Sequence, residues 1–120
     1  MGSPFGGTVP VCPDATLIQR REQGEAVARA LGQNLAVLLQ GHGAVIVGGS
    51  IEEAFVASIL LEDNAVFQYR ASAIGTPKAI EGDALRQAQK QVWQPKVISK
   101  IWHYYLMKGQ STGILAGPSS

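Results

Sequence analysis

Apolar and polar positions alternate along this chain in a way that predicts a short hairpin surrounded by helices. Leu35 to Leu39 (LAVLL) is one apolar run and Ala44 to Gly48 (AVIVG) is another. Both are too short for helices, and the second is β-branched at Val45, Ile46 and Val47. They read as two antiparallel strands joined at Gln40-Gly41-His42-Gly43. Both faces of each strand are apolar, so the hairpin is expected inside a sheet covered on both sides. Upstream, PFGGTVPVCP over residues 4–13 allows at most an edge strand at Thr8 to Cys12, because Pro10 has no N–H for a central ladder.

The helical stretches follow the 3.6-residue period. Asp14 to Leu31 predicts a helix capped by Asp14 or Thr16 and closed by Gly32 and Asn34. Gly24 in its middle costs about 1 kcal/mol against alanine, and a break is possible there. Ser50 and Glu53 form a capping box ahead of a long helix that should run to about Ile74 and stop at Gly75. Along it, Ile51, Phe55, Ile59, Val66, Tyr69 and Ala73 make one apolar stripe, and Val56, Leu60 and Phe67 make a second on roughly the opposite side. A helix apolar on two sides is buried on two sides. Gly82 to Gln91 predicts a short polar helix capped by Asp83. Pro95 suits the first turn of a final helix to about Lys108, with Val97, Ile98, Ile101, Trp102 and Tyr105 buried.

The predicted organisation is therefore an extended lead-in over residues 1–13, a domain over 14–108 and a flexible, Gly/Ser-rich tail over 109–120. Two firm strands and a doubtful third leave more apolar surface than the chain can cover, since a lone hairpin is marginal in water. Patterning alone thus points to a piece of a larger domain or to an obligate oligomer.

Composition narrows the partners. The chain is 46% hydrophobic and 16% charged, ordinary for a globular domain, and its net charge is +1. No basic stripe suggests nucleic acid or an anionic membrane surface. No apolar run approaches the roughly 20 residues that span a bilayer, and no secretory signal pattern opens the sequence. The single cysteine, Cys12, reads as a small packed thiol in a reducing, cytoplasmic setting.

Candidate chemistry centres on His42. Flanking glycines allow positive φ and close approach of the main chain to a ligand, so the imidazole is presented in a fixed direction. That suits a metal ligand, a general base or an oxyanion partner, although a lone histidine in a turn is more often a hydrogen-bonded structural residue. Glu62 interrupts the first stripe of the long helix. A carboxylate buried there needs a partner, and a structural tie to a neighbour is the preferred reading over a general base. Trp93, Trp102, Tyr104 and Tyr105 read as core or interface packing. A phosphate loop at Gly41-His42-Gly43 and Gly48-Gly49 carries little weight: no Gly-x-Gly-x-x-Gly and no P-loop lysine accompanies the glycines.

The stretch LAVLLQGHGAVIVGGSIEEAFVASILLEDNA resembles the C-terminal half of the class II aldolase/adducin family. The likeness is strongest over residues 14–75 and looser to about 106; the closing WQPKVISKIWHYY is similar to its decarboxylase-type members. The resemblance implies an α/β/α layered fold with a mainly antiparallel sheet, and homo-oligomers, often tetramers. It implies a small-molecule substrate, a hydroxylated aromatic acid for a decarboxylase or a sugar phosphate for an aldolase. It also implies a zinc or manganese ion held by three histidines. His42 matches the third of these; the other two belong to a His-X-His motif that this chain lacks, and His103 matches no ligand. Glu62 matches a recurrent glutamate of the long helix. The resemblance therefore implies a divalent-metal-dependent carbon–carbon lyase that is inactive without a complementing N-terminal half. The alternative is a non-catalytic, adducin-like assembly module.

Overall fold

A computed structural model describes residues 4–14 and 16–116. In chain order its elements are β1 (Val11–Cys12), α1 (Arg21–Leu31), β2 (Ala36–Leu39), β3 (Gly43–Ile46), α2 (Ile51–Ser72), α3 (Gly82–Val92) and α4 (Pro95–Ser111). Met1 to Ser3, and the last four residues of the expected tail, lie outside the described residues.

The expected hairpin is present. β2 and β3 pair antiparallel, from Ala36 opposite Ile46 to Leu39 opposite Gly43. β1 is the edge strand anticipated around Pro10, but it pairs parallel to β2, with Val11 opposite Leu38 and Cys12 opposite Leu39. The sheet is therefore mixed and not purely antiparallel. Pro10 needs no N–H at this edge; its carbonyl accepts the Leu38 N–H at 2.8 Å.

Both faces of the sheet carry packed helices, but the cover is incomplete: Leu38 of the central strand stays exposed. On one face Cys12 and Val37 pack on Val27 of α1, flanked by Leu31, Leu39 and Val45. On the other, Ala36 packs with Val56, Ala57 and Leu60 of α2, together with Phe5 and Ile98 of α4. The result is the expected α/β/α layering. Val56 and Leu60, from the second stripe of α2, thus face the sheet, and the first stripe is met in part by α4: Phe55 stands edge-on to the rings of Trp102 and Tyr105, both with centroids 5.4 Å away. Trp93 and Ile101 join the same core, so these residues pack as expected. Beyond Asn64 the cover ends: Val66, Phe67 and Tyr69 are exposed.

Helix boundaries shift where side chains or tight turns compete with the helical ladder. The first helix starts at Arg21 and not at Asp14, because Asp14 and Gln23 bind backbone groups of the intervening segment. It then runs unbroken through Gly24 and ends at Gly32. Ser50 caps α2, its hydroxyl accepting the Glu53 N–H at 3.1 Å. The return bond goes one residue further out, from the Gly49 N–H to Glu53 Oε2 at 2.7 Å. α2 stops at Ser72, short of Ile74, because the Ala73 and Ile74 N–H groups turn back to the carbonyls three residues earlier. The N-cap of α3 is Glu81; Asp83 lies inside the helix and pairs with Arg86. α4 does begin at Pro95 but continues to Ser111, so the first residues of the expected tail are helical.

Candidate functional site

β1 and β2 run parallel, so their carboxyl ends lie side by side, and the corner that carries His42 leaves from there. The Gln40 N–H donates to the Cys12 carbonyl at 3.1 Å, tying corner and edge strand together. The His42 N–H closes the turn on the Leu39 carbonyl at 3.0 Å. Gly41 has φ +77° and Gly43 has φ +141°, a backbone that residues with a Cβ rarely adopt. The glycines therefore shape the bend, and the imidazole is left exposed.

His42 lines a cavity of about 150 Å³, walled mostly by apolar atoms. The buried Cys12 and Val27, with Leu39, form its inner part. Leu17, Ile18 and Asp14 belong to the segment that follows β1 and line its exposed side. None of the lining residues is Lys or Arg.

That segment was expected to be helical and is instead held in an open conformation. Asp14 Oδ1 accepts the Thr16 N–H at 2.9 Å and the Thr16 hydroxyl at 2.6 Å. Gln23 Oε1 accepts the N–H groups of Gln19 at 2.9 Å and Arg20 at 3.1 Å. Gln23 Nε2 donates to Thr16 Oγ1 at 2.7 Å. Short polar side chains that bind nearby backbone compete with helix formation, which is why the apolar pattern of Leu17 and Ile18 misled. Asp14, Thr16 and Gln23 are the site residues that sequence reasoning missed. The legible signal was Asp-x-Thr, the spacing of an Asx turn.

The two Thr16 hydrogen bonds, side chain first and backbone second, hold the Asp14 carboxyl below its ordinary value, with a smaller contribution from the Arg20 charge. A lowered carboxylate pKa orders the segment fully above the unfolded value, near pH 4, and that contribution fades as pH falls through the folded one. The Thr16 amide resonance should hence be constant at neutral pH and move only below about pH 4. The same titration in Asp14→Asn should be flat.

The other expected residues lie elsewhere. Glu62 is exposed, so the anticipated need for a buried partner does not arise. His103 faces a separate cleft with Glu52, Glu53 and Trp102, and its Nδ1 lies 2.7 Å from the Ser99 carbonyl. The Gly49 N–H is occupied by Glu53. Among the described residues, no group of three or more His, Cys, Asp or Glu could hold a metal ion. No helix among them is long and apolar enough to cross a membrane.

Comparison with known proteins agrees with this corner-and-helix arrangement. The family model described as Class II Aldolase and Adducin N-terminal domain matches residues 1–69, which include the hairpin, His42 and most of α2. A 3,4-dihydroxyphthalate decarboxylase of Terrabacter sp. (strain DBF63) is 33% identical over 73 residues, 61% of this chain and 30% of that protein. The 3,4-dihydroxyphthalate decarboxylase of Arthrobacter keyseri is 32% identical over 69 residues, 58% of this chain and 28% of that protein. Decarboxylase NovR of Streptomyces niveus is 31% identical over 90 residues, 74% of this chain and 33% of that protein. The chain thus spans about a third of the length of these curated relatives. With more than half of its residues inside the family match, the chain belongs to the class II aldolase/adducin family.

Proposed function

We propose that this chain is the C-terminal part of a divalent-metal-dependent carbon–carbon lyase, a decarboxylase of a hydroxylated aromatic acid. The observation that carries the reading is the cavity beside His42. Its walls are mostly apolar, and its one acidic lining residue among those described is Asp14. Such walls suit the faces of an aromatic ring and offer no cation to a sugar phosphate. The decarboxylase names of the three relatives support the same choice.

In this reading His42 is one ligand of a zinc or manganese ion, which would supply an electron sink for the carbanion left by carbon dioxide. The described residues do not fit a complete cage by themselves, and one histidine does not make a tight site. The remaining ligands come from a His-X-His segment outside these residues, and the 120 residues alone are inactive. The exposed stretch of α2 around Val66, Phe67 and Tyr69 supports burial against that segment or within a homo-oligomer. The same stretch, with the incomplete ligand set, also favours the second reading, a non-catalytic adducin-like assembly module. A cytoplasmic setting accords with the single, buried Cys12.

The test joins this chain to an N-terminal part carrying His-X-His and adds zinc or manganese. Carbon dioxide release from a dihydroxylated aromatic acid is expected, with no cleavage of a sugar phosphate. Cleavage of the sugar phosphate instead would replace decarboxylase by aldolase. Stable association with no turnover of either would favour the assembly module.

A further inference from the structure

We propose that Gln23 is a positioning residue for the cavity beside His42, acting through a clasp on the segment between β1 and α1. The consequence for catalysis rests on the decarboxylase reading; the clasp itself does not. A helix-capping glutamine ordinarily reaches back to one backbone N–H. Gln23 does this with its oxygen, which takes the Arg20 N–H and also the Gln19 N–H. Its nitrogen does something a cap does not require: it extends to the Thr16 hydroxyl, which in turn donates to Asp14. One amide therefore ties both ends of the stretch that carries Leu17 and Ile18.

Those two side chains are 65% and 47% exposed, although both are apolar and a helix would otherwise be free to carry them elsewhere. Held by the clasp, they stay out as the outer wall of the cavity that Cys12 floors. Releasing the Thr16 arm while keeping the cap should leave α1 intact and let that wall swing. Cys12 reports the movement, because the residue is 4% exposed and lines the same cavity.

The experiment follows the rate of Cys12 with N-ethylmaleimide in the 120-residue chain, beside far-UV circular dichroism and thermal melting. Thr16→Val removes the arm and retains the cap; Gln23→Glu retains the cap and replaces the amide's N–H by a carboxylate oxygen, which competes with Asp14 for the one hydrogen of the Thr16 hydroxyl. Both are expected to raise the thiol rate about tenfold or more at unchanged helix content, and the double variant should be no faster than either alone, as coupled residues behave. Ser50→Ala, at the far α2 cap, reads the rate increase that general destabilisation produces, and should give little. Wild-type thiol rates in both Thr16→Val and Gln23→Glu, or increases no larger than in Ser50→Ala, would overturn the proposal and leave Gln23 a plain helix cap. Neither metal nor substrate is needed, so the result is independent of whether the complete protein is a decarboxylase. In that complete protein, Gln23→Glu should raise KM more than it lowers kcat.

Discussion

His42→Ala in the complete protein is expected to weaken divalent-metal binding by on the order of 100-fold or more and to abolish carbon dioxide release. Removing a group that only orients a metal ligand typically costs about 10- to 100-fold in affinity or activity, and loss of a ligand itself should reach at least the upper end. The fold should not suffer. The corner is built from the backbone of Gly41 and Gly43 and from the Leu39–His42 turn bond. The imidazole is exposed, and substitutions at such positions usually stay within about 0.5 kcal/mol. Metal content, turnover and melting temperature, measured on one preparation, check the split. Loss of activity together with a large drop in melting temperature would mean that the side chain holds the fold instead.

The second large effect is on stability. Leu60→Ala should destabilise the chain by about 2–5 kcal/mol, the usual range for emptying a packed leucine site. Leu60 is 2% exposed and sits in the cluster where α2 meets Ala36 of the sheet and Ile98 of α4. Neither the sheet nor α4 can collapse into the void without losing its other contacts in that layer. For a domain near 100 residues, 1 kcal/mol moves the melting temperature by about 4–8 °C, so a fall of roughly 10 °C or more is expected. Ile51→Ala is the matched control. Ile51 lies on the same helix but is 78% exposed, and its loss should be nearly silent. Equal shifts in the two variants would mean that burial along α2 is not as described.

The hairpin, with helices on both its faces, and α4 were legible because their signals are local. A β-branched run cannot be amphipathic in the helical sense, and proline at a first helical turn has few other uses. The His42 corner was legible for a like reason: glycines on both sides of a polar residue between two strands leave only a tight bend. The segment at Thr16 to Arg20 was not. Its apolar spacing is helical, and what prevents a helix is the Gln23 side chain several residues downstream, whose competing bonds depend on three-dimensional placement. The direction of β1 was equally hidden, since two residues carry no mark of parallel or antiparallel pairing. Glu62 misled in the opposite way. Its position in an apolar stripe predicted burial, but past Leu60 only Leu61, Asp63 and Asn64 stay half-buried and residues 65–70 are exposed, so the stripe continues past the core that would have enclosed it.

The unfinished cover over α2 and the single histidine at the corner lead to one physical claim: this chain supplies one wall and one ligand of a larger metal site. The most direct test is anomalous diffraction at the metal edge from crystals of the complete protein loaded with zinc. The account predicts a peak about 2.0–2.1 Å from a ring nitrogen of His42, on the side facing the cavity. A fully occupied peak on other ligands, with the His42 ring turned away into packed hydrocarbon, would contradict it.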